Sequence, residues 1–91
     1  MTDMSEKAAN ILTREQVAAS IHACLEDRLS QAQLAKWAFD QFYKLEIEEL
    51  EYEEQHAELL SEVLDQLMFT DEASFQLDEQ DLAMLVRRLQ P

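Results

Sequence analysis

The chain of 91 residues contains no glycine, and its one proline is the last residue, Pro91. Nothing inside it supplies a ready hairpin turn or breaks a helix outright. Val, Ile and Thr together number nine, too few to build a core of strands. The single cysteine, Cys24, rules out an internal disulfide, and its neighbours Ile21, Ala23 and Leu25 mark it as a small buried thiol suited to a reducing cytoplasm. Long apolar runs are missing too: the longest is five residues, Leu82 to Val86, and Asp3, Glu6 and Lys7 near the start have no hydrophobic stretch behind them. Neither a signal peptide nor a membrane span is expected, and the localisation read from these features is cytoplasmic. The most pointed absence is of positive charge. From Leu45 to Val86, 42 residues carry no lysine or arginine but 14 aspartates and glutamates.

The first 44 residues hold six acids against five bases, so all but one unit of the formal charge of -13 belongs to the second half. Such a field repels nucleic-acid phosphates and anionic membranes and attracts cations or a basic protein surface. A disordered acidic tail is excluded by the 47% apolar content, with 14 leucines and 11 alanines to offset chain entropy. Those residues, 13 glutamates and nine glutamines define an all-α composition. A chain this long buries roughly 60 to 65% of its unfolded surface, enough for one core. Residues 1–12 are expected to form a partly disordered N-terminal segment and 13–91 a single helical domain.

Capping chemistry places the helix starts. Thr13 with Gln16, and Ser30 with Gln33, each match a capping box, in which hydroxyl and amide satisfy backbone donors that the first turn leaves orphaned. A first helix over about 14–27 then aligns Val17, Ala18, Ile21, Cys24 and Leu25, and a second over about 31–45 aligns Leu34, Trp37, Ala38, Phe42 and Leu45. Leu50, Ala57, Leu60, Leu64 and Leu67 predict a third over about 50–69. Asp78 opens a fourth, with Leu82, Leu85, Val86 and Leu89 on one stripe and Arg87 and Arg88 in its last turn. An unbroken rod from Ser30 to Phe69 would be about 60 Å long, against a radius of gyration of about 12 Å for a compact chain, so a bend is expected near Glu46 to Glu49. Phe75 and Leu77 are expected to plug the core from an irregular connection. The expected architecture is a small four-helix antiparallel bundle with a short C-terminal helix.

Glu46, Glu48, Glu49, Glu51, Glu53, Glu54 and Glu58 form the densest charge cluster. Five pairs among them stand three or four apart, and in one helix they would cost roughly 1 to 2.5 kcal/mol. Acids in a first turn gain about 0.3 to 1 kcal/mol each from the macrodipole, so Glu51, Glu53 and Glu54 suit a helix start. The bland reading of the cluster is a solvated helix end; the functional one is a binding patch for a basic partner.

Glu53 and His56 have the i, i+3 spacing that lets two ligands on one helix share a metal ion. A bridged two-metal site needs a second such pair and two further inward glutamates, which a monomer lacks and a homodimer would supply only in part. In its Glu-x-x-His the stretch resembles small dimeric encapsulated ferritin-like proteins, without their partnering glutamate on the preceding helix. The structural alternative is a His56 hydrogen-bonded at a helix end. Catalytic arrangements are poorer: His22 and Cys24 are two apart and face different ways on a helix, and no glycine loop exists to hold phosphate or an oxyanion. An enzyme is not expected, nor is a cofactor. Trp37, Phe39, Phe42 and Tyr43 concentrate aromatic surface, with core packing favoured because Trp37 and Phe42 share the stripe of Leu34 and Leu45.

In size, helix order, negative charge and the closing segment Phe75-Gln76-Leu77-Asp78-Glu79 followed by Leu82, Val86 and Leu89, the chain resembles the small bacterial immunity proteins of the colicin D type. That resemblance implies a four-helix bundle that fills the basic active-site cleft of a ribonuclease toxin. It would make Glu51, Glu53, Glu54, Glu58, Asp71, Glu72, Asp78 and Asp81 a mimic of the phosphates the toxin grips. Tyr52, beside the acidic cluster, is the candidate hydrophobic anchor. The leading expectation is a non-enzymatic protein-interaction module directed at a basic, nuclease-like partner; the alternatives are a dimeric metal-binding protein using Glu53 and His56, and a helical scaffold domain.

Overall fold

The computed structural model describes residues 10–72 and 76–90. Its elements run β1 (Asn10–Leu12), α1 (Arg14–Leu25), α2 (Gln31–Glu46), β2 (Leu50–Tyr52), α3 (Ala57–Met68) and α4 (Glu79–Leu89). Both expected capping boxes are present. The Gln16 amide donates to Thr13 Oγ1 (3.1 Å) and the Thr13 amide to Gln16 Oε1 (3.3 Å); the Gln33 amide donates to Ser30 Oγ (3.1 Å) and the Ser30 amide to Gln33 Oε1 (2.8 Å). A third box, formed by two aspartates, opens α4: the Asp81 amide donates to Asp78 Oδ1 (2.8 Å) and the Asp78 amide to Asp81 Oδ2 (3.2 Å).

The bend between the second and third helices is there, but the segment beyond it corrects the expected bundle. Leu50 does not lead a helix. It begins β2, which runs parallel to β1 with Asn10 opposite Leu50, Ile11 opposite Glu51 and Leu12 opposite Tyr52, and the Glu53 amide extends the pairing to Leu12 O (2.9 Å). The described residues therefore form four helices with a two-stranded parallel sheet, and the third helix covers 57–68 rather than about 50–69. Leu50 enters the core from extended backbone, while Ala57, expected on the same stripe, is exposed. Residues 10–12, expected within the N-terminal segment, form a strand that carries Leu12 into the centre with no exposed surface.

Ends of α1 and α2 are made without glycine. The Arg28 amide donates to Ala23 O (2.8 Å) and the Asp27 amide to Cys24 O (3.1 Å); the Glu49 amide donates to Lys44 O (2.9 Å) and the Glu48 amide to Leu45 O (3.2 Å). Each pair is a Schellman motif, whose turning residue is ordinarily glycine because it must be left-handed. Asp27 (φ 64°) and Glu48 (φ 65°) occupy those places, and Gln55 (φ 74°) is also left-handed, in the turn before α3. The glutamate cluster thus leaves the helix as α2 ends, and most of its like-charge pairs never sit three or four apart on a helix.

One core joins the elements. Val17, Ile21 and Cys24 of α1, Leu34 and Ala38 of α2, Leu60, Val63, Leu64 and Leu67 of α3, and Leu82, Leu85, Val86 and Leu89 of α4 close around Leu12 and Leu50. Packing is most extensive between α1 and α4 and between α2 and α3. Leu77 lies against this cluster as expected; Phe75, its expected companion, lies outside the described residues. Thr70, fully buried, has no apolar role. Its hydroxyl donates to Gln31 Oε1 (2.8 Å) and accepts from the Leu77 amide (3.2 Å), while Gln31 Nε2 donates to Leu77 O. Three bonds so tie the start of α2, the end of α3 and the approach to α4.

Two substitutions probe these features. Thr70→Val keeps the shape but leaves the Leu77 amide and Gln31 Oε1 without that partner, and it should destabilise by about 1–3 kcal/mol, read as a lower urea midpoint at unchanged slope. Glu48→Gly relieves a left-handed conformation that costs a side-chain-bearing residue about 1–2 kcal/mol and removes an acid from a helix C-terminus. A rise of about 1 kcal/mol in unfolding free energy is expected.

Candidate functional site

The acidic residues expected to meet a partner fall into two groups separated by the length of α3. Glu51 in β2, Glu54 in the following turn and Glu58 in the first turn of α3 stand exposed at its N-terminal end, with Glu48 and Glu49 also exposed on the connection from α2. Asp71 and Glu72 follow its C-terminal end, and Asp78 and Asp81 open α4, all four exposed. Twelve residues of helix, about 18 Å at about 1.5 Å per residue, lie between. Asp78 and Asp81 have a structural duty as well, because each carboxylate accepts the other's backbone amide.

Glu53 stands apart from the other acids. Its Oε1 accepts from the Arg14 amide (3.0 Å) and Arg14 Nε (3.2 Å), and its Oε2 from an Arg14 terminal nitrogen (3.5 Å). The carboxylate reaches across 39 residues of chain to the first residue of α1, where the helix dipole also favours negative charge. Both side chains are mostly covered, with 22% of Arg14 and 29% of Glu53 exposed. The Arg14 amide bond, then the guanidinium bond and the Arg14 and His56 charges, hold the Glu53 carboxyl below its ordinary value against a smaller opposing effect of burial. The sequence held only one half of this contact in view, since nothing in the spacing of Arg14 and Glu53 announces that they meet.

The helical premise of the Glu53 and His56 metal pair fails. Residues 53–56 form a turn in which the His56 amide donates to Glu53 O (3.1 Å), so the two side chains are not stacked on one helix face. Nor do Glu51, Glu53 and Glu54 begin a helix; α3 starts after His56, whose ring makes no cap hydrogen bond. Among the described residues, no group of three or more His, Cys, Asp or Glu side chains is gathered as a metal ion would require. His22 is exposed and Cys24 buried, as helical spacing separates them. Burial first, and the nearby Asp27 charge second, push the Cys24 thiol up from its ordinary value, the behaviour of a packed, unreactive cysteine.

Ion pairs leave most of the acidic half alone. Among the described residues, Glu53 with Arg14 and Glu62 with Arg88 (2.7 Å) are its pairs, whereas Glu26 with Arg28 and Lys36 with Asp40 (3.6 Å) belong to the balanced half. Glu48, Glu49, Glu51, Glu54 and Glu58 contact no cation of the described chain. Tyr52 is half-buried against the core, so part of its ring serves the fold. The aromatics of α2 divide: Trp37 packs against the core, Phe42 is half-buried, and Phe39 and Tyr43 are exposed. No described helix is long and apolar enough to cross a membrane. No protein-family model matches this chain, and no curated protein or solved structure shows significant similarity to it.

The depressed Glu53 value gives a signed test. A carboxyl whose folded value lies below its unfolded one adds stability above the unfolded value, and that contribution is lost as pH falls through the folded value. Glu53→Gln should therefore be less stable than the wild type at neutral pH, by a constant margin down to the ordinary glutamate value of 4.5 that closes under further acidification. Urea unfolding of both proteins from neutral to acid pH reads the margin; one that ignored pH would show that the carboxylate charge is not its source.

Proposed function

We propose that this chain is a non-enzymatic, acidic helical interaction module that docks on a basic protein surface, and that its most specific form is an immunity or inhibitor protein directed at a nuclease-like partner. The observation that supports this reading is the exposed group Glu51, Glu54 and Glu58, with Glu48 and Glu49 beside it, which no cation of the described chain contacts. Carboxylates that serve only the fold tend to be paired or to cap helices, as Glu53, Asp78 and Asp81 do here. Those left over in one place create a field that a basic cleft relieves. Such a field raises association rates by about 10 to 1000 fold and chooses among partners by sign.

The two ends of α3 play unequal parts in this proposal. Its N-terminal end carries the docking charge, with Asp71 and Glu72 widening the field from the other end. Asp78 and Asp81 add charge while they hold α4, so their neutralisation mixes stability with binding. Glu53 is kept from the partner by Arg14.

Association with a basic nuclease, followed by stopped flow, provides the test. The rate constant should fall by about tenfold or more between low and physiological salt, and by a comparable factor in the triple variant Glu51→Gln, Glu54→Gln, Glu58→Gln. Unfolding free energy of that variant should stay within about 0.5 kcal/mol of the wild type, as surface substitutions do. Rates indifferent to both salt and the three substitutions would remove the proposal.

A further inference from the structure

We infer that the hydrophobic anchor of this interface is the outer face of α2, where Phe39, Tyr43 and Ile47 form a stripe for an apolar surface edged by lysine and arginine on the partner. The inference rests on the acidic docking role and locates the part of the surface that charge alone does not provide. The three residues stand at i, i+4 and i+8, Phe39 and Tyr43 on one face of α2 and Ile47 in line with them as its C-cap, and are 57%, 57% and 44% exposed. Single exposed apolar residues are ordinary; three on one face, two of them aromatic, are the composition of an interface centre. The opposite side of the helix is already occupied by the core through Leu34 and Ala38, so the stripe is not a misplaced core face. Phe42 supports it from the flank, its ring centroid 6.5 Å from that of Phe39.

Charge along the stripe indicates what covers it. At the Phe39 end, Lys36 and Asp40 pair at 3.6 Å and cancel. At the Ile47 end the helix runs out among Glu46, Glu48 and Glu49, all exposed and none in contact with a cation of the described chain. The surface is thus apolar in the middle and negative at one end, continuous along the chain with Glu51 and Glu54. A partner that is apolar opposite Phe39 and Tyr43 and basic opposite the glutamates satisfies both parts. A second copy of this chain satisfies the first part and opposes the second, since it brings a charge of -13 against -13. Tyr52, half-buried, is a lesser anchor than either exposed ring.

The probe is a synthetic amphipathic peptide of about five helical turns, leucine on one face and lysine on its margins, compared with a scrambled peptide of identical composition. Binding is followed by surface plasmon resonance and mapped by amide shift perturbation. Perturbations should centre on residues 39–49, and the double variant Phe39→Ala, Tyr43→Ala should weaken binding of the amphipathic peptide by about tenfold or more, chiefly through faster dissociation. Its thermal midpoint should match the wild type, because both side chains lie outside the core. The scrambled peptide should bind weakly and ignore the double variant. Binding that remains salt-sensitive but indifferent to the double variant, or shifts centred elsewhere, overturns the stripe and leaves electrostatic docking standing. Binding lost in the double variant yet insensitive to salt supports the stripe and removes the acidic reading. A dimer in sedimentation that the double variant dissolves overturns the assignment in favour of a second copy.

Discussion

The contact on which the rest of the structure depends is the closure of residues 10–14 onto residues 50–53. Leu12 and Leu50 are delivered to the core from two short strands that pair side by side, and Glu53 then clasps both the backbone and the guanidinium of Arg14. Two strands of three residues are marginal by themselves. Here the apolar burial of Leu12 and Leu50, the ladder and the carboxylate clasp act at one place, and each offsets the entropy of ordering the others. With those ends fixed, α1 and α2 become a closed excursion whose inner faces have one centre to pack on.

That closure also governs the charge map. A continuous helix through the glutamate cluster would have aligned like charges on successive turns. Ending α2 at Glu46, extending residues 50–52 and restarting at Ala57 fans the carboxylates out from the axis. One of them, Glu53, is taken up by Arg14, and the others remain at the surface. The same backbone decision that lowers repulsion inside the fold concentrates unpaired acid on one part of its exterior. Stability and surface charge are linked here through geometry, with no residue of the outer group among the core side chains.

The sequence was most legible where the signal is local. Thr13 with Gln16, Ser30 with Gln33 and Asp78 set helix starts, and the i, i+3, i+4 stripes of α1 and α4 become buried faces. The strands were hidden because three residues are too few to show a period of two, and because Leu50 falls in phase with Leu60, Leu64 and Leu67 when a helix is assumed. The lack of glycine misled in a related way: Asp27, Glu48 and Gln55 adopt the left-handed conformation despite their side chains, where tertiary contacts outweigh local preference. Arg14 with Glu53, and Gln31 with Thr70, join residues 39 apart, and no composition or spacing reports such meetings. For the candidate surface, the acidic members could be named from charge alone. The exposure of Phe39 and Tyr43 could not, since the aromatic cluster of α2 belongs partly to each side of the helix.

That two-sidedness gives the buried polar triangle a meaning beyond the bonds it contains. A helix with leucine and alanine on one flank and phenylalanine, tyrosine and isoleucine on the other can lower its free energy by hiding either. Apolar contact by itself discriminates poorly between such orientations. The amide of Gln31, at the first position of α2, finds Thr70 and Leu77 in only one of them. A threonine that adds little to the mass of the interior thereby acts as the key that selects which flank is sealed inside and which is left to meet the outside world.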